Sequence, residues 1–585
     1  MRLKQKLPVT YLLFTLKGRI AKGAFWLASV FYWCTFYILY NLLFSTLGEQ
    51  ATFVLYPLLF WIITATSIKR LHDQNISGYW LFAVLIPVFG PLWLIWRLGF
   101  KRGDYISNSY GSVPGLAPDY LKNDDGKEIP HLKTNERIID DVTRLNPVLV
   151  DQVFRPGSVE EICDIVKKTE GPISVGGGRF SMGGQTASQH SVHIDMRRMN
   201  KILGFSAGDK LIKVQTGIRW CDIQQYIDEY DLSIKIMQTY ANFTVGGALS
   251  VNAHGRYMGM GPLVLAVRSI DVVVADGSLV EATPIKNKEI FFGAIGGYNG
   301  IGIIVQAELE LADNLAILRV DKKMMVEDYK KYFFKTIRSD EKVVFHNGDI
   351  YPPAYKRLRA VSWIETVKKP TVKTRLMPLK ESYPLERYFL WSFTETPLGK
   401  WRREFLIDPL LFTGTKIHWR NYEAGYDVAE LEPRSRTDST YVLLEYFVPV
   451  HRFEEFEKLM AEIFIRFNVN VLNVSIRHAK ADPGTYMAWA REEVFAFVVY
   501  YKQRTDAASK HAVGVWTREL ADAVISVNGA YYLPYQVHTS VEQFHKAYPD
   551  AVKLFDLKAK LDPEYKFRNI FWDTYYKPSK PKSNG

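Results

Sequence analysis

The sequence predicts an α+β protein preceded by an all-α transmembrane module, and three observations carry that expectation. Two charge-free runs of 24 and 18 residues occupy positions 24–47 and 51–68. Beyond residue 130, stretches with an apolar residue at every second position alternate with stretches at helical spacing. Three segments dominated by glycine and other small residues fall in that second region, at 176–185, 240–255 and 296–302.

Charge sets limits on function. The chain carries 74 Lys+Arg against 62 Asp+Glu, a net +12. Residues 1–102 hold eleven of the basic residues and only Glu49 and Asp73 in opposition, so nine of the twelve net charges belong to the N-terminus. The other 483 residues carry +3 and no basic stripe, so no nucleic-acid partner is expected. Cys34, Cys163 and Cys221 are far apart and show no metal-ligand spacing. Neither a disulfide scaffold nor a metal site is expected.

Taken in chain order, each of the first two runs is long enough to cross about 30 Å of hydrocarbon as a helix. The first is too long for a signal-peptide core, contains Trp26 and Trp33, and lacks a small-residue cleavage site. A third apolar run, 79–96, carries Pro87, Gly90 and Pro91 near its middle. Six basic residues precede the first span and Lys69-Arg70 follow the second, which puts both flanks in the cytoplasm. Arg97, Lys101 and Arg102 join them if the third run turns back as a re-entrant hairpin, the arrangement favoured here. The expectation is a multi-pass protein of the bacterial inner membrane with everything after residue 102 cytoplasmic. Gly18-Arg19-Ile20, Phe25-Trp26, Lys69-Arg70-Leu71-His72-Asp73 and Ser77-Gly78-Tyr79-Trp80 resemble a small bacterial membrane domain of unknown function covering about residues 15–112. His72 and Asp73 are expected to form a structural pair at the membrane interface.

Residues 103–130, rich in Gly, Ser, Asn, Asp and Pro, read as a linker. Ser158 and Glu161 form a capping box for a helix whose Ile162, Ile165 and Val166 share a face. A strand at 173–175 runs into the glycine loop 176–185; strands follow at 192–196 and 211–215, and a helix at 220–230. Asp276-Gly277 separates 270–275 from 279–282 as a hairpin, and 303–311 alternates as a closing strand.

Five glycines in nine positions after a strand allow close backbone approach to a pyrophosphate. The spacing matches neither a GxGxxG Rossmann turn nor a GxxxxGK[ST] loop, which disfavours a nicotinamide site and a P-loop nucleotidase. Taken together, Gly176-Gly-Gly-Arg-Phe-Ser-Met-Gly-Gly-Gln185, Thr244-Val-Gly-Gly247 with Asn252-Ala-His-Gly255, and Gly296-Gly-Tyr-Asn-Gly-Ile-Gly302 resemble the FAD-binding domain (PCMH type) of the vanillyl-alcohol oxidase superfamily over about residues 131–315.

The resemblance implies a two-part FAD-binding domain and a set of cofactor residues. Gly176, Gly177, Gly178, Arg179, Phe180, Ser181, Met182, Gly183, Gly184 and Gln185 would hold the diphosphate. Thr244, Gly246, Gly247, Ser250, Asn252, Ala253, His254 and Gly255 would run along the flavin, with Gly302 and Ile303 at the adenine side. Many relatives bond the flavin covalently through a loop histidine where this chain has Phe180, so the FAD is expected to be non-covalent. His190 and His193 read as surface or core histidines, and His254 as a neighbour of the ring system.

Residues 316–545 read as an antiparallel-sheet substrate domain, with strands at 441–449, 471–478 and 494–502 and an amphipathic helix at 453–467. By residue type alone, Arg477 is a structural ion-pair partner and Lys502 a solvated strand end. Glu445-Tyr-Phe-Val-Pro449, Ser475-Ile-Arg477 and the aromatic pair before Lys502 resemble the alditol and aldonolactone oxidase branch, which implies that Arg477 and Lys502 face the flavin. Ser475 stands where that branch usually has a glutamate. Asp562-Pro-Glu-Tyr-Lys-Phe-Arg-Asn569 resembles the family's C-terminal return to the FAD domain (546–578), placing Asn569 near the cofactor. Residues 531–538 more loosely resemble the decaprenylphosphoryl-ribose oxidase and sterol-reductase side of the superfamily.

The function implied is a membrane-anchored, FAD-dependent oxidation of a hydroxyl on a sugar, polyol, aldonolactone or lipid-linked sugar, with Lys502 as base and Arg477 and His254 beside it. Oxygen, a quinone or a partner protein would reoxidise the flavin. The alternative is a membrane sensor or scaffold with a silent flavin fold.

Overall fold

A computed structural model describes residues 9–104, 108–111, 114, 137–379, 383–431, 433 and 435–576, so most of the expected linker lies outside the described residues. Among the described residues before the linker the elements are helices: Val9–Phe14, Lys22–Leu47, Gln50–His72 and a helical hairpin. The hairpin descends through Gly78–Leu85, turns at Pro87 and returns through Phe89–Ile95 and Trp96–Phe100. Neither limb is long enough to cross a bilayer by itself. Gly90 sits where a Cβ would come 1.7 Å from the carbonyl oxygen of Ala83, so only glycine lets the limbs approach.

Lys22–Ser45 and Gln50–His72 are long and apolar enough to cross a membrane. Their outer faces are bare: Leu27, Tyr37, Phe53 and Phe60 are each at least 71% exposed. The expected His72–Asp73 pair does not form. Asp73 instead accepts from Arg19 at 3.1 Å and Arg70 at 2.6 Å, while His72 stacks on Tyr110 and sets Nδ1 3.2 Å from the Gly18 carbonyl. A buried carboxylate between two buried guanidiniums takes the stronger partners, and the imidazole is left to stacking.

The glycine-loop half is built on two larger sheets beside a short ladder of Ile138–Ile139 with Val148–Leu149. In the first, Val192–Asp195 lies between Gln152–Phe154 and Ile173–Gly176, all parallel. In the second, Leu279–Ala282, Val267–Val273, Ile303–Asp313, Leu211–Gln215 and Ile202–Ser206 pair antiparallel in that order. Ser158 Oγ caps Val159–Lys168 by accepting from Glu161 N at 3.2 Å; the Glu161 carboxylate accepts from Gly157 N rather than closing the box on Ser158.

The second half is an eight-stranded antiparallel sheet in the order Ile417–Trp419, Ala316–Met325, Arg357–Glu365, Val343–Ile350, Val471–Ala479, Val494–Arg504, Ser439–Pro449, Ala530–Tyr531. Side chains alternate across it. Tyr446, Phe497 and Tyr501 pack under the helices Phe453–Arg466 and Ala507–Ser526. Leu443, Glu445, Ser475, Arg477, Val498 and Tyr500 face the opposite way, into a cavity. The C-terminal segment lies against the first sheet of the glycine-loop half: Ile173 N donates to Lys566 O at 2.7 Å and Arg568 N to Ile173 O at 2.9 Å, with Phe567 buried against Ile173.

Candidate active site

A cavity of about 450 Å³ runs between the glycine loop and the open face of the eight-stranded sheet. At one end, residues 176–182 and Gln185 form its wall, facing Thr244, Gly246 and Gly247. Gly177 is required there because a Cβ would come 2.3 Å from Thr244 Oγ1. Thr244 Oγ1 in turn accepts from Gly247 N at 3.3 Å and starts the helix Val245–Ser250. The loop is clamped from the substrate side: Met182 N donates to Pro534 O at 2.6 Å, and Gln185 Nε2 donates to the carbonyls of Leu533 and Tyr535 at 2.7 Å.

This end is cationic. Arg179, held at φ +60°, reaches Asp195 at 3.3 Å, and Arg155 and Arg197 converge on the same carboxylate. Burial alone would raise the Asp195 carboxyl; the three guanidiniums, Arg197 foremost, hold it far below the usual range. Arg179 is the guanidinium of this cluster that lines the cavity, and a cation beside a glycine-walled loop suits a diphosphate.

The middle of the cavity is apolar and aromatic, with Phe180 against Phe243 at a ring separation of 4.1 Å and Val251 and Tyr298 further along. His254, Glu445, Arg477 and Tyr535 supply the polar part of the lining. His254 Nε2 is 2.6 Å from Glu445 Oε2, and the Tyr535 hydroxyl donates to Glu445 Oε1. Burial pushes the Glu445 carboxyl up, but His254, Arg477 and the Tyr535 hydroxyl outweigh it and hold it below the ordinary range. Burial lowers the Arg477 guanidinium, with Glu445 opposing. Arg477 Nε is buried and has no hydrogen-bond partner among the described residues, which marks it for a ligand.

Several expected residues do not reach the cavity. Gly183 lies where a Cβ would come 2.2 Å from Tyr535 O, and Gly184 N donates to Asp141. Asn252 spans Asp482 and Val264 N, while Gly255 abuts Met237 O and Gly302 abuts Val272. Asn569 caps Ile570–Tyr575 and donates to Tyr298 O, so its part is to fasten the C-terminal helix. These residues shape the wall from behind.

Lys502 is the largest departure. Its partner across the ladder is Tyr441, whereas Arg477 pairs with Ala496, six residues along the same strand. At about 3.3 Å per residue the two positions are roughly 20 Å apart. Lys502 Nζ is 2.5 Å from Glu395, an ion pair outside the cavity. Glu445 was missed as a site residue although it is the one charge in an otherwise apolar strand, and Tyr535 carried no signal beyond a loose family likeness.

At the loop position where covalent members of the resembled family carry a histidine, Phe180 lines the cavity. His190 is exposed on Asp151, and His193 is buried on Ser174. Among the described lining residues the one histidine is His254, engaged by Glu445.

Comparison with known proteins bears on the cofactor. Residues 150–283 match a family model described as FAD binding domain, and residues 13–112 match a protein family of unknown function, DUF805. A cytokinin dehydrogenase of Arabidopsis thaliana is 23% identical over 75% of this chain and 88% of its own length. An L-gulonolactone oxidase of Mus musculus is 20% identical over 74% and 96%. A decaprenylphosphoryl-β-D-ribose oxidase of Mycolicibacterium smegmatis is 22% identical over 67% and 86%.

Proposed function

With the chain taken as an FAD-dependent oxidoreductase of the vanillyl-alcohol oxidase superfamily, we propose that it oxidises a hydroxyl-bearing carbon of a sugar, polyol, aldonolactone or lipid-linked sugar while anchored in a membrane. The convergence of Glu445, His254 and Arg477 at the substrate end of the cavity carries this reading.

When bound, FAD supplies a two-electron acceptor for hydride from the substrate carbon. Residues 176–182, Thr244, Gly246 and Gly247 hold it, with Arg179 beside its diphosphate. Arg477 donates to the substrate oxygen and stabilises the negative charge that develops as its proton leaves. Glu445, kept anionic by its neighbours, receives that proton, and His254 and Tyr535 fix its orientation. A fixed guanidinium favours an oxygen donor over a cationic ammonium substrate. The aromatic middle of the cavity excludes water from the reacting end. Phe180 offers no nucleophile, so the flavin is non-covalent.

The two helices long and apolar enough to cross a membrane, bare on their outer faces, support the anchor. Their basic flanks favour a cytoplasmic catalytic half at the bacterial inner membrane. An acceptor at the membrane, a quinone or a partner protein, suits that location.

An anaerobic screen of alditols, aldonolactones and prenyl-phosphate sugars, watching flavin absorbance, tests the reading. Bleaching by a hydroxyl donor is expected. Bleaching by amines alone, or by no donor in a protein that retains FAD, overturns it.

A further inference from the structure

One surface of the substrate half is unlike the rest. Between the strands Arg357–Glu365 and Ile417–Trp419 the chain makes the short helices Pro384–Glu395, Gly399–Arg402, Arg403–Ile407 and Asp408–Leu411. Tyr388, Trp391, Trp401, Leu406 and Leu410 on them, and Leu398 in the turn between the first two, are 47–72% exposed. A soluble surface scatters such side chains singly; a run of them on consecutive helices needs a covering.

The charges on these helices are sorted. Glu395 is paired with Lys502 and Arg504, Glu404 is buried between Lys323 and Arg357, and Asp408 is buried near Arg403; Glu386, half-buried, is the one acid on these helices with no basic partner within 4 Å among the described residues. Arg387, Lys400 and Arg402 have no acidic partner within 4 Å among the described residues, and neither does the following Lys416. What the segment offers is outward aromatic and aliphatic bulk rimmed by half-exposed charges, in which the four cations without an acidic partner outnumber the single acid Glu386, the composition of an interfacial helix against anionic lipid.

Its position is equally specific. Arg19, at the start of the first long helix, donates to Gly111 O at 3.1 Å. Gly111 lies against Thr437 O and Thr505 Oγ1, and Ala507 N donates to Ser109 O. From there Asp438 pairs with Arg504 at 2.7 Å, and Arg504 with Glu395 at 3.0 Å, at the end of Pro384–Glu395. A continuous path of contacts therefore sets the apolar helices beside the end of the long-helix pair that carries the basic flanks. The same helices border the cavity: Thr394 Oγ1 is 3.4 Å from the Tyr441 hydroxyl, and Arg403 donates to Asn473 Oδ1 at 3.1 Å, both Tyr441 and Asn473 being lining residues.

We propose that residues 384–411 rest in the headgroup layer of the leaflet from which the long helices emerge, so that the active site takes a membrane-borne donor, a sugar hydroxyl on a lipid carrier, directly from the bilayer. This rests on the membrane anchor and the hydroxyl donor proposed above, and it commits the donor to the lipid-linked class. The lipid surface is favoured over a second copy of the chain by the unpaired cations and by the adjoining membrane-length helices.

Single cysteines at Leu398→Cys and Leu410→Cys, in a full-length chain whose three native cysteines are serine, carry an environment-sensitive fluorophore in phosphatidylethanolamine–phosphatidylglycerol vesicles. Nitroxide-labelled lipid is expected to quench both, and not a control at Ile285→Cys, which is 94% exposed in the FAD-binding half. Absence of quenching at 398 and 410 overturns the membrane surface, whatever else shields them. In a second arm, Leu398→Glu with Leu410→Glu is expected to slow anaerobic bleaching by a prenyl-phosphate sugar about tenfold and leave bleaching by a short water-soluble sugar alcohol unchanged. Equal effects on the two donors overturn delivery from the bilayer. Failure of both donors to bleach the wild-type flavin overturns the hydroxyl reading and the lipid-linked donor with it, while the membrane surface is still decided by quenching.

Discussion

His254 Nε2 and Glu445 Oε2 lie 2.6 Å apart although 191 positions separate them in sequence, and the bond joins the FAD-binding half to the substrate sheet. His254 sits on the small-residue segment that lines the cofactor side, and Glu445 on the strand Ser439–Pro449. Both are buried, so the contact is little screened by bulk water. The contact sets the proton-accepting group against the cofactor side of the cavity.

Glu445→Gln is therefore expected to slow anaerobic flavin reduction at least about 10²-fold with flavin content unchanged. His254→Asn leaves the carboxylate but frees it to turn, and a smaller loss is expected. Because Glu445 is held below the ordinary carboxylate value of 4.5, its protonation costs rate only as pH falls below that value. Stopped-flow reduction across pH measures both effects; a Gln variant reducing its flavin at the wild-type rate removes Glu445 from the mechanism.

Lys502 and Arg477 should separate in the same assay. Arg477→Met removes the cation at the cavity's reacting end and is expected to lower kcat/KM about 10²- to 10³-fold. Lys502→Met, about six strand positions away and paired with Glu395, is expected to stay within about threefold. A collapse of the rate in Lys502→Met would return the base to that residue.

How far the sequence could be read depended on the range of the interaction. Strands at 211–215, 471–478 and 494–502 were legible because period-2 burial writes itself into neighbouring residues, and the three small-residue segments were legible because backbone crowding tolerates few side chains. Lys502 was misplaced because the same face of a strand does not mean the same row, and only the ladder register shows the six-residue offset. Glu445 was invisible as a partner of His254 because nothing local signals a contact across 191 residues. The helices between 384 and 411 were passed over because no single apolar run in them is long; their exposure becomes visible only when folded.

The flavin should leave the protein on denaturation. Phe180 faces Phe243 where covalent relatives of the resembled family carry a histidine, and His190 and His193 are occupied by Asp151 and Ser174. Acid precipitation is expected to leave a colourless pellet and yellow supernatant. A pellet that stays yellow and fluoresces on a denaturing gel places the linkage elsewhere in the cavity, with His254 the first residue to replace.

Acid should destabilise the substrate half through His346. This buried ring sets Nδ1 2.8 Å from Ser362 Oγ and Nε2 3.0 Å from the Tyr329 hydroxyl, and burial, assisted by His478, lowers its pKa from 6.5 to about 3. The fold thus favours the neutral ring. A depressed folded-state pKa gives stability that is present above the unfolded value and is lost as pH falls toward the folded one. The loss runs at about 1.4 kcal/mol per pH unit, reaching about 2 kcal/mol at roughly pH 5. His346→Gln keeps a polar side chain between the two hydroxyls and removes the titration. Its stability in denaturant should be lower than wild type at neutral pH but flatter between about pH 6.5 and 4, by nearly that slope. Parallel pH dependences for the two proteins would show that His346 does not set the acid limit.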